Sequence, residues 1–271
     1  MVNAARSADP RRDVLVWMLP LATTLGAAAL FEAAARAGLL PVFVPAPSAV
    51  LAEALGNPAI VTGNVRPTVV HAATGYLVTM LITTAAGALS AAVHSLRGPI
   101  YNLGVALHAV PIIATAPLLA LWLGTGPSLQ IAIAALACQF VMLVSMIQGL
   151  NAADARQREL FHALSASRWR TFRSLLLPAA APYLFAGFKI AAPAALLGTL
   201  TAEWAGADRG LGAMMLYALF SYDVAKVWLS VALTCLLAAA AYGFWAAVER
   251  RVVYWTKGTE IARIMHEGWL A

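Results

Sequence analysis

Six stretches of this sequence are long and apolar enough to cross a bilayer as a helix, which takes roughly 20 apolar residues. They run over 14–35, 67–95, 99–123, 128–150, 178–202 and 226–248. Such a chain has few folds open to it. In hydrocarbon every backbone N–H and C=O must bond within the protein, so spans are helices or closed barrels, and runs of this length read as helices. Composition closes the soluble alternative. Of 271 residues 62% are hydrophobic and 11% charged, against about 25% charged in a typical soluble domain. The predicted fold class is all-α: a polytopic membrane protein of about six transmembrane helices, forming one transmembrane domain over 1–271. The first apolar run, from Val14 to Phe31, exceeds the roughly 7–15 residues of a signal-peptide core and reads as a retained helix.

The net charge of +6 is distributed by side of the membrane and forms no basic face for nucleic acid. With a cytoplasmic N-terminus, the inside segments hold Arg6, Arg11, Arg12, Arg97, Arg156, Arg158, Arg168, Arg170, Arg173, Arg250, Arg251, Lys257 and Arg263. The outside segments hold only Arg36, Arg66, Arg209 and Lys226. This bias predicts both termini in the cytoplasm of a multi-pass plasma (inner) membrane protein. Outside, 37–66 carries Pro41, Pro45, Pro47 and Pro58 and reads as a turn and a short surface helix, with Ser48 as its cap.

The longest inside loop, 151–177, is amphipathic. Its first half sets Leu160, Phe161 and Leu164 on one helical face. Its second half sets Trp169, Phe172 and Leu176 on another. Ser165-Ala166-Ser167 between them reads as a break and a new cap. The pattern predicts helix, turn and second helix, neither long enough to span. Helices of this kind also lie on anionic membrane surfaces, and pattern alone does not choose between the two roles.

The spacing in this loop resembles that of the permeases of binding-protein-dependent ABC importers. Their cytoplasmic motif runs Glu-Ala-Ala, three residues, Gly, nine residues, Ile-x-Leu-Pro. Here Glu159 opens it, Ser165 takes the glycine position, Leu175 the isoleucine, and Leu177-Pro178 closes it without a gap. Leu160 and Phe161 replace the alanines. Serine for glycine is tolerable where the turn needs no positive φ. The resemblance extends to Leu39–Ser48, Val110-Pro111 with Ala116–Gly126, Ala163–Trp169, Ala186–Lys189 and Ala202-Glu203 with Gly210-Leu211-Gly212. These are similar to the sulfonate, taurine and nitrate branch, which also includes importers of pyrimidine vitamin precursors.

The resemblance implies a permease subunit whose loop 151–177 couples to a separate ATPase. Glu159, His162, Ala163, Ser165, Arg168 and Pro178 are the coupling candidates, and Glu159–Trp169 the coupling helix. The implied partners are a cytoplasmic ATP-binding subunit, an extracytoplasmic solute-binding protein and a second permease copy, by default in a homodimer. The implied solute is a small anion such as a sulfonate, taurine or nitrate; the alternative is a pyrimidine vitamin precursor. The chain has no Gly-x4-Gly-Lys-Ser/Thr loop, so it is expected to be no enzyme, to hold no cofactor, and to leave ATP to the partner.

Charged groups in spans are functional candidates because burying them is costly. Lys189, well inside the fifth span, is a candidate for attracting an anion or for pairing with a carboxylate. Glu203, near an outer end, is explained by interfacial solvation or, as the family resemblance implies, by a structural or gating role. His71, His94, His108, His162 and His266 lack metal-ligand spacing, and Gln130 and Gln139 form no polar stripe. A self-contained secondary transporter is the competing class. It is opposed by the lack of an internal repeat and of a midplane carboxylate–histidine chain.

Overall fold

Prolines and glycines decide where the helices of this chain start and break. The computed structural model describes residues 10–256, and all regular structure among them is helical. Helix α1 is Pro10–Arg36, α2 Pro47–Gly56, α3 Pro58–Ala92, α4 Arg97–Ala109, α5 Ile112–Leu123 and α6 Pro127–Asn151. Then come α7 Ala155–Ala163, α8 Arg168–Thr171, a π turn Phe172–Leu176, α9 Leu177–Glu203, α10 Leu211–Phe220 and α11 Val224–Val252. Pro47, Pro58 and Pro127 stand in the first turns of α2, α3 and α6, where a missing N–H costs nothing and φ is already helical.

The second span begins at Pro58 and not at 67, so Pro67 lies inside α3. The third is broken: α4 and α5 meet at 93°. Val110 has φ −77° and ψ 124°, the extended conformation that a following proline imposes. The fifth span starts early. From Arg168 to Glu203 the chain is one apolar helical run of 36 residues, so the second half of the 151–177 loop is the base of the span and not a separate helix. Pro178 cannot donate a backbone hydrogen bond, and just before it the turn widens, with Leu177 N–H bonding to Phe172 O.

Four helical segments are long and apolar enough to cross a membrane among the described residues, or five if the bent pair is one span. The expected first span, 14–35, falls within α1, and six spans remain an expectation. The sequence reading missed α10. At ten residues it is too short to span and packs Leu211, Ala213, Met214 and Ala218 inward.

Helix α6 is the centre of the bundle. It packs most extensively on α9 and next on α3, while α11 covers α9. Leu129, Ile133, Ala134 and Cys138 of α6 are fully buried against Ala116, Ala191, Ala195 and Ala202. Small residues let backbones approach where lipid supplies no hydrophobic drive. A Cβ on Gly198 would stand 2.6 Å from Ala137 Cβ and 2.9 Å from Ile133 O. Large apolar side chains such as Leu81, Ile82, Leu121, Leu197 and Leu236 point outward, as lipid contact requires.

Helix α2 is fastened rather than free. Its N-cap is Ala46, without a side-chain bond. The expected cap, Ser48, lies past Pro47 and instead gives its N–H (2.9 Å) and hydroxyl (2.6 Å) to Glu32 of α1. Lys226 of α11 pairs with Glu53 at 3.7 Å, and Trp228 Nε1 donates to Phe43 O at 2.9 Å.

Gly198→Val should strain the α6–α9 contact and destabilise the protein by about 1–3 kcal/mol, as overpacking does. Gly26→Val, where an added Cβ meets nothing within 4 Å, should change stability far less. Thermal unfolding in detergent measures both.

Candidate functional site

The loop 151–177 is built to present α7 while holding its root. Asp154 caps α7, its carboxylate accepting from Arg156 N–H at 3.2 Å. Arg158 folds back and donates to Leu150 O (3.1 Å) and Ala153 O (3.3 Å), supplying donors to carbonyls at the end of α6. Arg97 at the start of α4 donates to Asn151 Oδ1 at 3.0 Å. On the open side Leu160, Leu164 and Trp169 are 57%, 70% and 68% exposed. Such side chains protruding from a polar segment mark a surface made to be covered.

Helix α7 ends in a Schellman turn: Ala166 N–H bonds to Phe161 O (3.0 Å) and Ser165 N–H to His162 O (2.9 Å). That turn needs a left-handed residue, and Ser165 has φ +49°. The position does require positive φ, and serine occupies it at a cost glycine would not bear. Ser167 then caps α8, its hydroxyl accepting from Arg170 N–H at 3.3 Å, and the rings of Trp169 and Phe172 stack at 5.8 Å.

The coupling candidates lie together. Glu159, His162, Ala163, Ser165 and Arg168 are all exposed on α7, its turn and the first residue of α8. Glu159 makes no hydrogen bond or ion pair among the described residues, so its carboxylate is open to a partner. Pro178 stands apart, half-buried in the first turn of α9.

The two intramembrane candidates have different fates. Lys189 is not open. Its Nζ lies 2.5 Å from Glu249 Oε2 of α11, both side chains about one-fifth exposed. Glu203 is not solvated at an interface but 1% exposed. Its Oε1 accepts from the Thr68 hydroxyl and its Oε2 from Gly212 N–H, each at 2.6 Å. Leu211 N–H donates to Thr68 Oγ1 (2.9 Å) and Gly210 N–H to Asn64 Oδ1 (3.1 Å). Glu203 thus serves the N-terminus of α10, where free N–H groups and the helix dipole favour a negative charge. Leaving such a buried group unpaired typically costs several kcal/mol.

Sequence reasoning missed Asn64, Thr68 and His71. At spacings of four and three they line one face of α3 and reach across helices, His71 to Gln130 of α6. The i, i+4, i+7 spacing of three polar residues was the available signal. Beside them a cleft of about 690 Å³ is lined by Asn64, Arg209, Tyr217, Ser221, Asp223 and Lys226 among others. The hydrogen bond from the Lys226 side chain holds the Asp223 carboxyl below its ordinary range.

Residues 83–254 match the family described as binding-protein-dependent transport system inner membrane component. The chain is similar to a formylaminopyrimidine transport permease protein of Halalkalibacterium halodurans, 29% identical over 158 residues, 58% of this chain and 63% of that protein. It is 28% identical over 150 residues to a riboflavin transport system permease protein of Chloroflexus aurantiacus, 55% and 56% of the two chains. It is 27% identical over 154 residues to a putative aliphatic sulfonates transport permease protein of Bacillus subtilis, 57% and 56% of the two. The matches span less than two thirds of the length of these curated relatives.

Ser165→Gly should relieve the left-handed serine and stabilise the α7–α8 turn by about 1 kcal/mol. Slower amide exchange of Ala166 in the detergent-solubilised protein, with the spans unchanged, is the expected readout.

Proposed function

Since the chain belongs to the binding-protein-dependent transport system inner membrane component family, we propose that it forms the solute path of an ABC importer and couples that path to a separate ATPase through α7 and α8. One observation carries this reading. An otherwise polar segment, rooted at the end of α6 and continuous with α9, holds Leu160, Leu164 and Trp169 out to be covered.

The mechanism follows from how that segment is attached. A cytoplasmic ATPase dimer closes on ATP and reopens after hydrolysis. A groove on each ATPase receives α7, with Glu159 and Arg168 meeting charges at its rim. Arg158 and Arg97 fix the root of α7 to α6 and α4. On the other side α8 runs through the π turn into α9 without a break in the helical run. Displacement of α7 therefore tilts α6 and α9, the pair packed most closely, and does not dissipate in a loop. Each chain offers one such segment and an ATPase dimer two grooves, so two permease copies assemble, with both termini and 151–177 inside. ATP binds to the partner, and an extracytoplasmic solute-binding protein delivers solute to the outer mouth.

The charges favour a pyrimidine-type solute over a small anion. Lys189, deep inside the fifth span, is occupied by Glu249, and Glu203, buried at the end of α9, is an acid. A sulfonate would find no free cation at either of these two positions, whereas a neutral solute with amino donors needs none. The similarity to the formylaminopyrimidine permease supports this choice.

Ala163→Trp adds bulk to the docking face, and overpacking of about 1–3 kcal/mol should weaken ATPase assembly about tenfold or more. In vesicles holding all subunits, solute-stimulated ATP hydrolysis and uptake should fall while membrane insertion is normal. A helix that merely rests on lipid would leave both activities unchanged.

A further inference from the structure

Resting on the importer reading, we propose that Glu203 is the latch of an outer gate, closing α10 and its leading loop against α3 with Thr68 and Asn64 as the catch. The four bonds of this cluster join α9 and α10, which are consecutive, to α3, 135 or more positions away. The Glu203 carboxyl at the end of α9 takes Thr68 of α3 and the N–H of Gly212 of α10. Thr68 and Asn64 in turn take Leu211 N–H and Gly210 N–H. No Lys or Arg joins the cluster among the described residues, so its closure depends on oriented dipoles alone.

The flanking chain turns on two glycines. The segment between α9 and α10 contains Gly206 at φ +117° and Gly210 at φ +137°, conformations that glycine adopts with little strain. Gly210 is also confined by space, because an added Cβ would meet the Glu203 carboxyl group. Helix α10 is too short to span and reaches the bundle through one face. Along the Met214–Ala218 side of α10 lies the polar cleft of about 690 Å³ that shares Asn64 with the catch.

Closed, the carboxyl is dry and fully bonded. Opened, it meets the water of the cleft, which replaces each lost bond. Two states of similar free energy, separated by rupture of a compact hydrogen-bond cluster, are what a gate needs. The drive is also in place. Glu203 ends the same 36-residue helical run that starts at Arg168 beside the coupling turn, so a tilt imposed inside moves the latch outside. A cap that only stabilised α10 would need no such continuity.

The test places a reporter beneath α10. Ala213 is 2% exposed, and Ala213→Cys, with exposed Cys235 changed to Ser, is labelled from outside by a membrane-impermeant maleimide in vesicles holding the complete importer. Thr68→Val should raise the labelling rate about tenfold, the effect of losing a hydrogen bond to a charged group. It should also raise ATP hydrolysis in the absence of the solute-binding protein. Thr68→Ser keeps the hydroxyl and should keep the parent rate of labelling. Glu203→Gln should behave as Thr68→Val; if it fails to assemble, the valine–serine pair at 68 decides. Equal labelling in parent and Thr68→Val, with only a lower melting temperature, would make the cluster a static cap and overturn the latch. Failure of the parent to bind the ATPase would instead overturn the importer reading beneath it.

Discussion

The close approach of the α6 and α9 backbones is the contact on which the other arrangements rest. Lipid is as apolar as any side chain, so helices in a membrane gain little by burying leucine against leucine. They hold together where small residues bring main chains within van der Waals reach and where polar groups bond across the gap. Gly198 against Ile133 and Ala137, Gly149 against Ala180, and Gly75 of α3 against Ala134 are contacts of the first kind. Thr79 to Ala135 O at 3.0 Å and Gln139 to Gly104 O at 3.1 Å are of the second. Together they join α3, α4 and α9 to α6 as one packed unit.

That unit explains why both ends of the chain's chemistry lie on the same helix. The base of α9 is α8 and the turn at Ser165; its tip is Glu203. Thirty-six residues of helical run at about 1.5 Å each lie between them. Two short helices are each served by a glutamate of the helix before them: Glu32 of α1 bonds the first turn of α2, and Glu203 of α9 bonds the first turn of α10. Short helices cannot hold themselves, so their N-terminal N–H groups are satisfied from the long ones.

Much of this was legible from local pattern. Apolar runs gave the long helices to within a few residues at several ends, and the motif opened by Glu159 marked the loop that the structure leaves exposed. What stayed hidden was set by distance or by competition. The partner of Glu203 is Thr68, 135 positions away, and no periodicity links them. Lys189 could have served an anion until Glu249, 60 positions on, was placed beside it. The third apolar run concealed a right-angle break because hydropathy does not register what Pro111 does to Val110. Helix α10 was passed over because ten residues cannot span, although they can fold back and bury one face. At Ser165 the motif itself held the information: the glycine position was a demand for positive φ, and the serine meets it.

Proximity of α7 to the ATPase tests the coupling role most directly. Leu164→Cys, at the exposed end of α7, can be paired in the complete importer with single cysteines along the ATPase groove and oxidised with and without ATP. If α7 is the coupling helix, a crosslink to the ATPase forms in high yield, and its yield or preferred partner position changes when ATP binds. If Leu164→Cys gives no crosslink to the ATPase, or reacts with impermeant reagent applied only from outside, the segment is not a coupling helix and the transport mechanism built on it is wrong.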